Sequence, residues 1–404
     1  MSMTSAAESQ FVPLSPAHLR VGEALPFSVY DDRMLLLLAA GQVIKTASVL
    51  AQISTHKLLI DETESLDWRK RLMLSMNSMV TQNITLEEIA AARPMEEVTA
   101  PKVRPDAPLN EQWEDCIAAL DAALRGRHEN GWLMRVLDQR VLAQRLVGRR
   151  PDASVYYQFW RASQPPTHYS AQHALFVMMV VDLTAPLLGL ETSVCENLGE
   201  AALMMNIAMV RLQDELSQAM IPPSLAARQE IAVHPRKGAL MLKELGVDHN
   251  VCHLVALHHT EHPPITTPPP IALAAQLLRR VDILTARLSR RRSREPLLAV
   301  QAARGACLGP DGKPDVIGSA LLKALGLYPP GTYLQLASGE QGVVMARGRS
   351  PSHPMVAVLL SSSGMPVLAP AMRDTSDPRF AVKQVIAAGS MKVRPNHGQL
   401  MGLI

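Results

Sequence analysis

The sequence has few aromatic residues and almost no net charge. Aromatic residues make up 4% of the 404 residues, whereas hydrophobic residues reach 48% and include 21 methionines. Leu, Ala and Met favour helices, while aromatic and β-branched residues favour strands. The composition therefore predicts a mainly α protein, and the length allows two or three domains.

Cysteine pairs, a signal peptide and a long apolar run are also absent. The four cysteines form no CxxC motif, which excludes a zinc ribbon and gives no sign of a disulfide framework. The first residues, MSMTSAAESQ, lack the basic and apolar regions of a signal peptide. The longest apolar stretch, 174–190, is broken by Asp182 and Pro186 and is too short for a bilayer span. These absences predict a cytoplasmic protein that does not enter a membrane.

The charge balance argues against a protein dedicated to nucleic acids. Forty basic residues face 37 acidic ones, for a net charge of +3. One basic run, ARLSRRRSREP at 286–296, stands out, but no aromatic residue interleaves its arginines as in single-strand binders. We expect no nucleic-acid partner.

A small α+β module is predicted at the N-terminus, over residues 1–92. LPFSVY (25–30) and MLLLLA (34–39) indicate a hairpin, followed by a short helix near 48–56 and the strand-like KLLI (57–60). Such a module is suited to docking or sensing.

The rest of the chain divides at a linker and at a change of period. Four prolines mark a linker over 93–110. Apolar residues then recur at helical spacing through 111–327 and predict a helical domain. Residues 328–404 are expected to form a small antiparallel β appendage and a tail. Its predicted strands are TYLQLA (332–337), QGVVMA (341–346), MVAVLL (355–360) and PVLA (366–369).

Histidines crowd into the second half of the helical region. Eight of the 13 histidines fall between His168 and His262, including the adjacent pair in LVALHHTEHPP (254–264). Neutral imidazole is the commonest side-chain ligand for transition metals, and Asp282 in the following helix offers a carboxylate. This crowding makes a metal site a candidate.

These motifs and their order resemble the HD-GYP family. The similarity covers about residues 167–327: HALFVMMVVDLTAPLLGL from 173, EAALMMNIAMV from 200, HPRKG from 234, HH at 258 and VDILTARLSRRR from 281. The resemblance implies a helical HD-type domain from the metal-dependent phosphohydrolases and a role in bacterial cyclic di-GMP signalling. Members of the family hydrolyse that dinucleotide at a centre of two or three metal ions.

Five ligand positions of the family keep their residue type here. The resemblance implies a site for a divalent ion such as Mn²⁺, Fe²⁺ or Zn²⁺, held by His173, His234, His258, His259 and Asp282.

Other signature positions of the family are changed. Met205 and Asn206 replace the His-Asp pair, and Ala208 and Met209 replace the glycine and lysine that follow it. Tyr169 replaces an upstream glutamate and Thr260 a downstream one. The GYP loop is missing. Two divalent ions about 4 Å apart repel by roughly 16 kcal/mol at an effective dielectric of about 20. Because Asn206 carries no charge to offset this repulsion, a tight two-metal centre is not expected.

Each candidate residue also has a purely structural interpretation. The histidines and Asp282 either hold one ion or form a hydrogen-bonded remnant. Arg291 and Arg292 either contact a phosphate at the pocket rim or belong to a solvated loop. His262 follows His258 by four residues and is a weaker ligand candidate. The methionines Met178, Met179, Met204, Met205 and Met209 are expected to be core residues rather than a copper site.

The sequence thus supports two functions of different class. The favoured one is a degenerate HD-GYP-like signalling protein without phosphodiesterase activity, which acts by binding a cyclic dinucleotide or a partner protein. The alternative is a metal-dependent phosphohydrolase with a reduced, one-metal centre. Oligomeric state stays open.

Overall fold

The computed structural model describes residues 11–22, 27–61, 107–308, 312–391 and 393–404, with eight single positions between 25 and 85. The chain divides into two compact units, Met1–Val98 and Thr99–Ile404. Most of the linker expected at 93–110 lies outside the described residues. The domain boundaries therefore stay predictions.

Within its described residues, the N-terminal unit contains a four-stranded antiparallel sheet and the helix α1. The strands lie in the order β1 (Phe11–Pro13), β4 (Leu59–Asp61), β2 (Val29–Tyr30) and β3 (Leu36–Leu38), with α1 (Ala47–Ile53) between β3 and β4 in sequence. Asp31 closes the β2–β3 hairpin by accepting from the amides of Arg33 and Leu35 at 2.9 and 2.8 Å. The predicted hairpin and short helix are present, and most of 62–92 falls outside the described residues.

The second unit is built from helices. They are α2 (Leu109–Arg125), α3 (Trp132–Arg149), α4 (Pro151–Ser163), α5 (Tyr169–Thr184), α6 (Thr192–Met204), α7 (Val210–Gln218), α8 (Leu225–Glu244), α9 (His249–Leu257), α10 (Pro269–Leu288), α11 (Ala299–Cys307) and α12 (Val316–Leu325). The mainly helical fold predicted from composition and periodicity is confirmed.

Helix α5 is the centre of this unit. Its sequence is apolar on every side, and all but two of its residues are buried, as expected of a helix with neighbours on all faces. It packs against α2, α3, α4, α6, α7, α10 and α12. Met178 and Met179 are fully buried here, as are Met204 and Met205 at the end of α6, so the predicted core role of these four is confirmed, whereas Met209 is only half-buried.

The stretch Tyr169–Leu188, which contains α5, has the length and apolar composition of a membrane span. Most of it is buried inside the helical unit. A buried core helix has the same composition, so this stretch is weak evidence for a span.

A five-stranded antiparallel sheet follows the helices in the same unit. Its order is β8 (Met372–Asp374), β7 (Met355–Leu360), β6 (Gln341–Ala346), β5 (Tyr333–Leu336) and β9 (Val382–Ile386), and a short helix α13 (His397–Met401) comes after it. Strand β6 packs on α4, and Arg347 fastens the junction through its Nε, 2.6 Å from Asp152 Oδ1.

Three of the four predicted C-terminal strands are present, but the fourth is wrong. At 366–369 the backbone makes only an isolated bridge at Pro366 and one bond from Val367 N to Leu359 O. Proline has no amide hydrogen for a ladder, and Pro370 follows shortly after. The edge of β7 pairs instead with Met372–Asp374, and Val382–Ile386 adds a strand in what was expected to be tail.

Gly318 is a point where two helices meet too closely for a side chain. A Cβ there would lie 1.9 Å from the Cys307 carbonyl oxygen. We expect Gly318→Ala to lower the free energy of unfolding by about 1–3 kcal/mol, because α12 must move away from the end of α11. Urea unfolding followed by circular dichroism measures this change.

Gly148→Ala in α3 is the matched control. No atom lies within 4 Å of the added methyl group, so the substitution should leave stability unchanged or raise it by about 0.5–1 kcal/mol. Equal effects of the two substitutions would contradict the close packing of α11 and α12.

Candidate functional site

Three imidazoles come together where α8 and α9 meet. One ring nitrogen from each of His234, His258 and His259 lies within 4.8 Å of the other two. Among the residues that the structure describes, these three are the side chains of metal-ligating type whose ligand atoms lie this close together. His234 and His258 are buried, whereas His259 is exposed.

His234 lies on a helix that contains a proline. Pro235 has no amide hydrogen, so the carbonyl four residues earlier, that of Ile231, has no helical donor. The Nδ1 of His234 is 2.6 Å from that oxygen and donates to it. Since Nδ1 carries the hydrogen, Nε2 of the neutral ring keeps its lone pair.

His258 is fixed in the same way by the end of a helix. It directly follows Leu257, the last residue of α9, where helical carbonyls lack donors from a following turn. Its Nδ1 donates to the Val255 oxygen at 2.7 Å. The His258 ring therefore also keeps the lone pair on Nε2.

These two lone pairs point at each other. The Nε2 atoms of His234 and His258 are 3.0 Å apart. Because both Nδ1 hydrogens are used by carbonyl oxygens, the contact is a hydrogen bond only if one ring is protonated. Burial opposes this by lowering the pKa of His234 to about 4 and that of His258 to about 3. At neutral pH, a cation that accepts both lone pairs relieves the repulsion.

His259 and Asp282 lie on one side of this pair. The His259 ring centre is 4.2 Å from that of His258 and 5.0 Å from that of His234. Its Nδ1 is 3.8 Å from Asp282 Oδ2, and its side chain is 42% exposed. The group is therefore accessible from solvent through His259.

His173 lies on the other side of Asp282. Its Nε2 donates to Asp282 Oδ1 at 2.8 Å, while its buried Nδ1 has no partner in the part of the chain that the structure describes. Burial alone would raise the pKa of Asp282, but the bond from His173 and the nearby imidazoles outweigh it and lower that pKa to about 2. Asp282 is thus a carboxylate at neutral pH, and His173 orients it rather than joining the three-imidazole group.

Met205 and Asn206 lie beside this group and bring no charge to it. Met205 is fully buried and Asn206 nearly so, just after α6. A Cβ added at Gly238, one turn after His234, would lie 3.7 Å from the Met205 oxygen. The turn that holds Met205 and Asn206 therefore packs directly against α8.

The two arginines predicted to contact phosphate have different positions. Arg291 lies over the Tyr169 ring, with Cζ 5.5 Å from its centre, and Tyr169 stacks on His173 at 5.8 Å. The Nε of Arg291 is buried, and no described residue forms a hydrogen bond with it. Arg292 is exposed, and its amide donates to the Ser217 oxygen. The structure places only Arg291 in a stack that leads to Asp282.

A cavity of about 380 Å³ opens on another side of Tyr169. Asp121 and Asp214 line it, and Arg125 forms an ion pair with each carboxylate. Two carboxylates against one guanidinium disfavour a phosphate there. A phosphate contact is better placed at Arg291.

The segment after the histidine pair does not extend the site. Because α9 ends at Leu257, His258 and His262 do not share a helical face, so the weaker ligand candidate His262 is not placed by the helix beside His258. His262 is exposed, and Glu261 lies 3.7 Å from Arg279. Sequence reasoning also missed the carbonyls of Ile231 and Val255; the His-Pro dipeptide inside α8 was the available signal for the first.

The ion-free protein is expected to lose stability as the pH falls below about 6.5. An unfolded histidine takes up a proton near that pH, whereas folded His258, with a pKa of about 3, does not, so the unfolded state binds more protons. Between about pH 6 and 4.5, the slope of the unfolding free energy against pH should be smaller in His258→Gln than in the wild type. The difference should be about 1.4 kcal/mol per pH unit. Urea unfolding in chelator at several pH values tests this.

His262→Gln is the control for this titration. His262 is exposed and lies outside the imidazole group, so this variant shows the effect of a histidine-to-glutamine change that leaves the buried pair intact. A His258→Gln variant with the wild-type slope would show that folded His258 is charged in this range.

Comparison with known proteins yields little. No protein-family model and no curated protein matches the chain. Among solved structures, the chain is similar to Bd1817, a HDG"Y"P protein from Bdellovibrio bacteriovorus, with 14% identity and a TM-score of 0.39 over 78% of this chain and 99% of that one. A similarity of this size carries no conclusion about function.

Proposed function

We propose that the helical unit binds one divalent metal ion and that the protein acts in cytoplasmic second-messenger signalling by binding rather than by hydrolysis. The observation that carries the proposal is the 3.0 Å contact between the Nε2 atoms of His234 and His258, whose Nδ1 atoms both donate to backbone carbonyls. Two buried lone pairs held against each other at neutral pH are hydrogen-bond acceptors that lack a donor, and a metal ion can accept both of them.

The donor set suits one ion of intermediate softness. His234, His258 and His259 offer nitrogen, and Asp282 offers an anionic oxygen near His259. Three imidazoles with one carboxylate suit Zn²⁺, Fe²⁺ or Mn²⁺. The carbonyls behind two of the rings, and His173 behind Asp282, provide the outer partners that orient ligands in metal sites.

Hydrolysis is disfavoured by what surrounds the site. Asp282 is the carboxylate at the imidazole group within the described residues, and the neighbouring turn presents Met205 and Asn206. A second ion would need a further anion to offset the repulsion between the ions. Met209, at the position of the family lysine, can neither donate a proton nor pair with a phosphate. We infer a centre that retains an ion and lacks the groups for turnover.

A cyclic dinucleotide is the proposed small ligand, with Arg291 as its phosphate contact. The guanidinium lies over Tyr169, and its buried Nε has no hydrogen-bond partner among the described residues. Guanidinium groups bind phosphate through paired hydrogen bonds. Arg292 is exposed and would contact the ligand only from the rim.

A one-metal phosphohydrolase is the second candidate. It is favoured by the His173–Asp282 pair, in which a buried histidine donates to a carboxylate at 2.8 Å. In such an enzyme, the ion would supply Lewis-acid activation of a water molecule. Residues of the chain would then hold Asp282 in place and, near it, accept the proton that this water molecule loses.

The metal prediction concerns the buried pair. Protein loaded with Zn²⁺ and then freed of excess metal should retain one ion per chain by elemental analysis. His234→Ala and His258→Ala should each bind Zn²⁺ more weakly, on the order of 100-fold, because each removes a preoriented ligand. Loss of a ligand costs more affinity than loss of an outer partner. Competition with a chromophoric chelator measures the affinities.

His262→Ala is the control for metal binding, since His262 is exposed and lies outside the group. It should bind Zn²⁺ like the wild type. Circular dichroism of each variant in chelator separates loss of metal from loss of fold. Wild-type protein that binds no Zn²⁺, Mn²⁺ or Fe²⁺ would remove the basis of the proposal.

The activity prediction separates the two candidates. With added Mn²⁺ or Fe²⁺, the protein should release no product from cyclic di-GMP or bis-p-nitrophenyl phosphate beyond that of His258→Ala. Cyclic di-GMP should nevertheless bind, and Arg291→Ala should weaken that binding by about tenfold through loss of a charged hydrogen bond. Arg294→Ala, whose guanidinium donates to the Ala286 oxygen, is the control. Turnover that disappears in His258→Ala would establish the phosphohydrolase instead.

A further inference from the structure

Helix α8 leaves most of its surface uncovered. Of its 20 residues, His234, Pro235, Gly238 and Leu242 are buried, and they lie on the side that faces the imidazole group. Leu225, Val233 and Leu240 lie elsewhere on the helix and are 68%, 54% and 54% exposed. The exposed side therefore carries apolar side chains that the described residues do not cover.

These apolar residues form two rows along the helix. One row is Ala226, Val233 and Leu240, and the other is Leu225, Ala232 and Ala239. Each row repeats every seven residues, so its members drift by only about 20° per repeat around the helix. The two rows start at adjacent positions and therefore lie about 100° apart around the helix, so a helix lying along α8 would contact both.

A polar, mainly basic row lies between the two apolar rows. At about 100° per residue, Gln229, Arg236 and Lys243 fall between them, and all three are exposed. In the described part of the chain, the ion pairs involve other residues and leave Arg236 and Lys243 without a carboxylate partner. These rows thus place two positive charges between apolar side chains, and the other exposed charges of α8, on Arg228, Glu230, Lys237 and Glu244, lie outside the two rows. We call the nine residues of the three rows the outer face of α8.

We propose that the outer face of α8 binds a helix of a partner protein that has acidic residues at seven-residue spacing between two apolar rows. Such a helix covers Leu225, Val233 and Leu240 and places carboxylates against Arg236 and Lys243. The apolar rows supply the driving force, and the charges fix the register and the choice of partner.

Two other occupants fit less well. A second copy of α8 would bring Arg236 and Lys243 of two chains together, which opposes like charges. A helix lying on a membrane keeps its charged residues opposite its apolar side and commonly has Trp or Phe. In α8 the basic row divides the apolar area, and the helix contains no aromatic residue apart from His234.

This inference names the class of partner for the proposed signalling role and rests on that proposal for its biological meaning. Its physical basis is separate, because His234, the proposed metal ligand on α8, lies on the inner side of that helix. Binding is therefore measured with protein freed of metal by chelator and repeated after addition of one equivalent of Zn²⁺. Failure of metal binding and failure of helix docking are then distinguishable.

The test uses two labelled synthetic peptides and fluorescence anisotropy with the full chain. Both peptides are 21-residue amphipathic helices with two Leu/Ala rows at seven-residue spacing; one has Glu between the rows and the other has Lys. The Glu peptide should bind and the Lys peptide should not. The double variant Arg236→Glu, Lys243→Glu should weaken binding of the Glu peptide at least tenfold and should bind the Lys peptide instead.

Further variants make the test specific to the outer face. Val233→Asp should weaken binding of the Glu peptide at least tenfold, while Arg211→Glu, a charge reversal on α7 at another exposed site, should not change it. Circular dichroism checks that each variant is folded. Equal binding of both peptides, or no binding of the Glu peptide, would overturn the proposal. It would also be overturned if the protein binds phosphatidylglycerol vesicles but not the Glu peptide, and the double variant Arg236→Glu, Lys243→Glu abolishes the vesicle binding.

Discussion

The contact between His234 and His258 is the constraint on which the site depends. Their Nε2 atoms lie 3.0 Å apart because both rings are tied from behind by carbonyl oxygens. One carbonyl is freed by Pro235 within α8 and the other by the end of α9. The backbone, rather than any neighbouring side chain, decides which nitrogen of each ring is available.

Most of the fold could be predicted from sequence because its signals are local. Helical spacing of apolar residues predicts the helical unit, and the apolar character of α5 on every side predicts its central position. The strand expected at 366–369 is wrong because Pro366 cannot extend a ladder, and the edge of β7 pairs with a later segment. Such a choice between two candidate partners depends on tertiary packing, which local pattern does not contain.

The candidate site was predictable as a set of residues but not as an arrangement. The resemblance of the sequence to the HD-GYP family implies His234, His258 and His259 as ligands, yet it cannot show that His173 donates from its Nε2 to Asp282. Nor can it show that Arg291 reaches Tyr169 while Arg292 does not. These facts depend on ring orientation and on the approach of α5 to α10, both of which are set by packing around α5.

Helix α8 carries the imidazole of His234 on one side and the two apolar rows on the other. It is one continuous helix with a proline near its middle, so a movement of the helix that favours binding on one side also moves the residues on the opposite side. By thermodynamic linkage, whatever free energy an ion contributes to docking on α8, a docked helix must contribute to retention of the ion. Ion binding on one side of α8 and helix docking on the other would then be coupled by one free energy that acts equally in both directions.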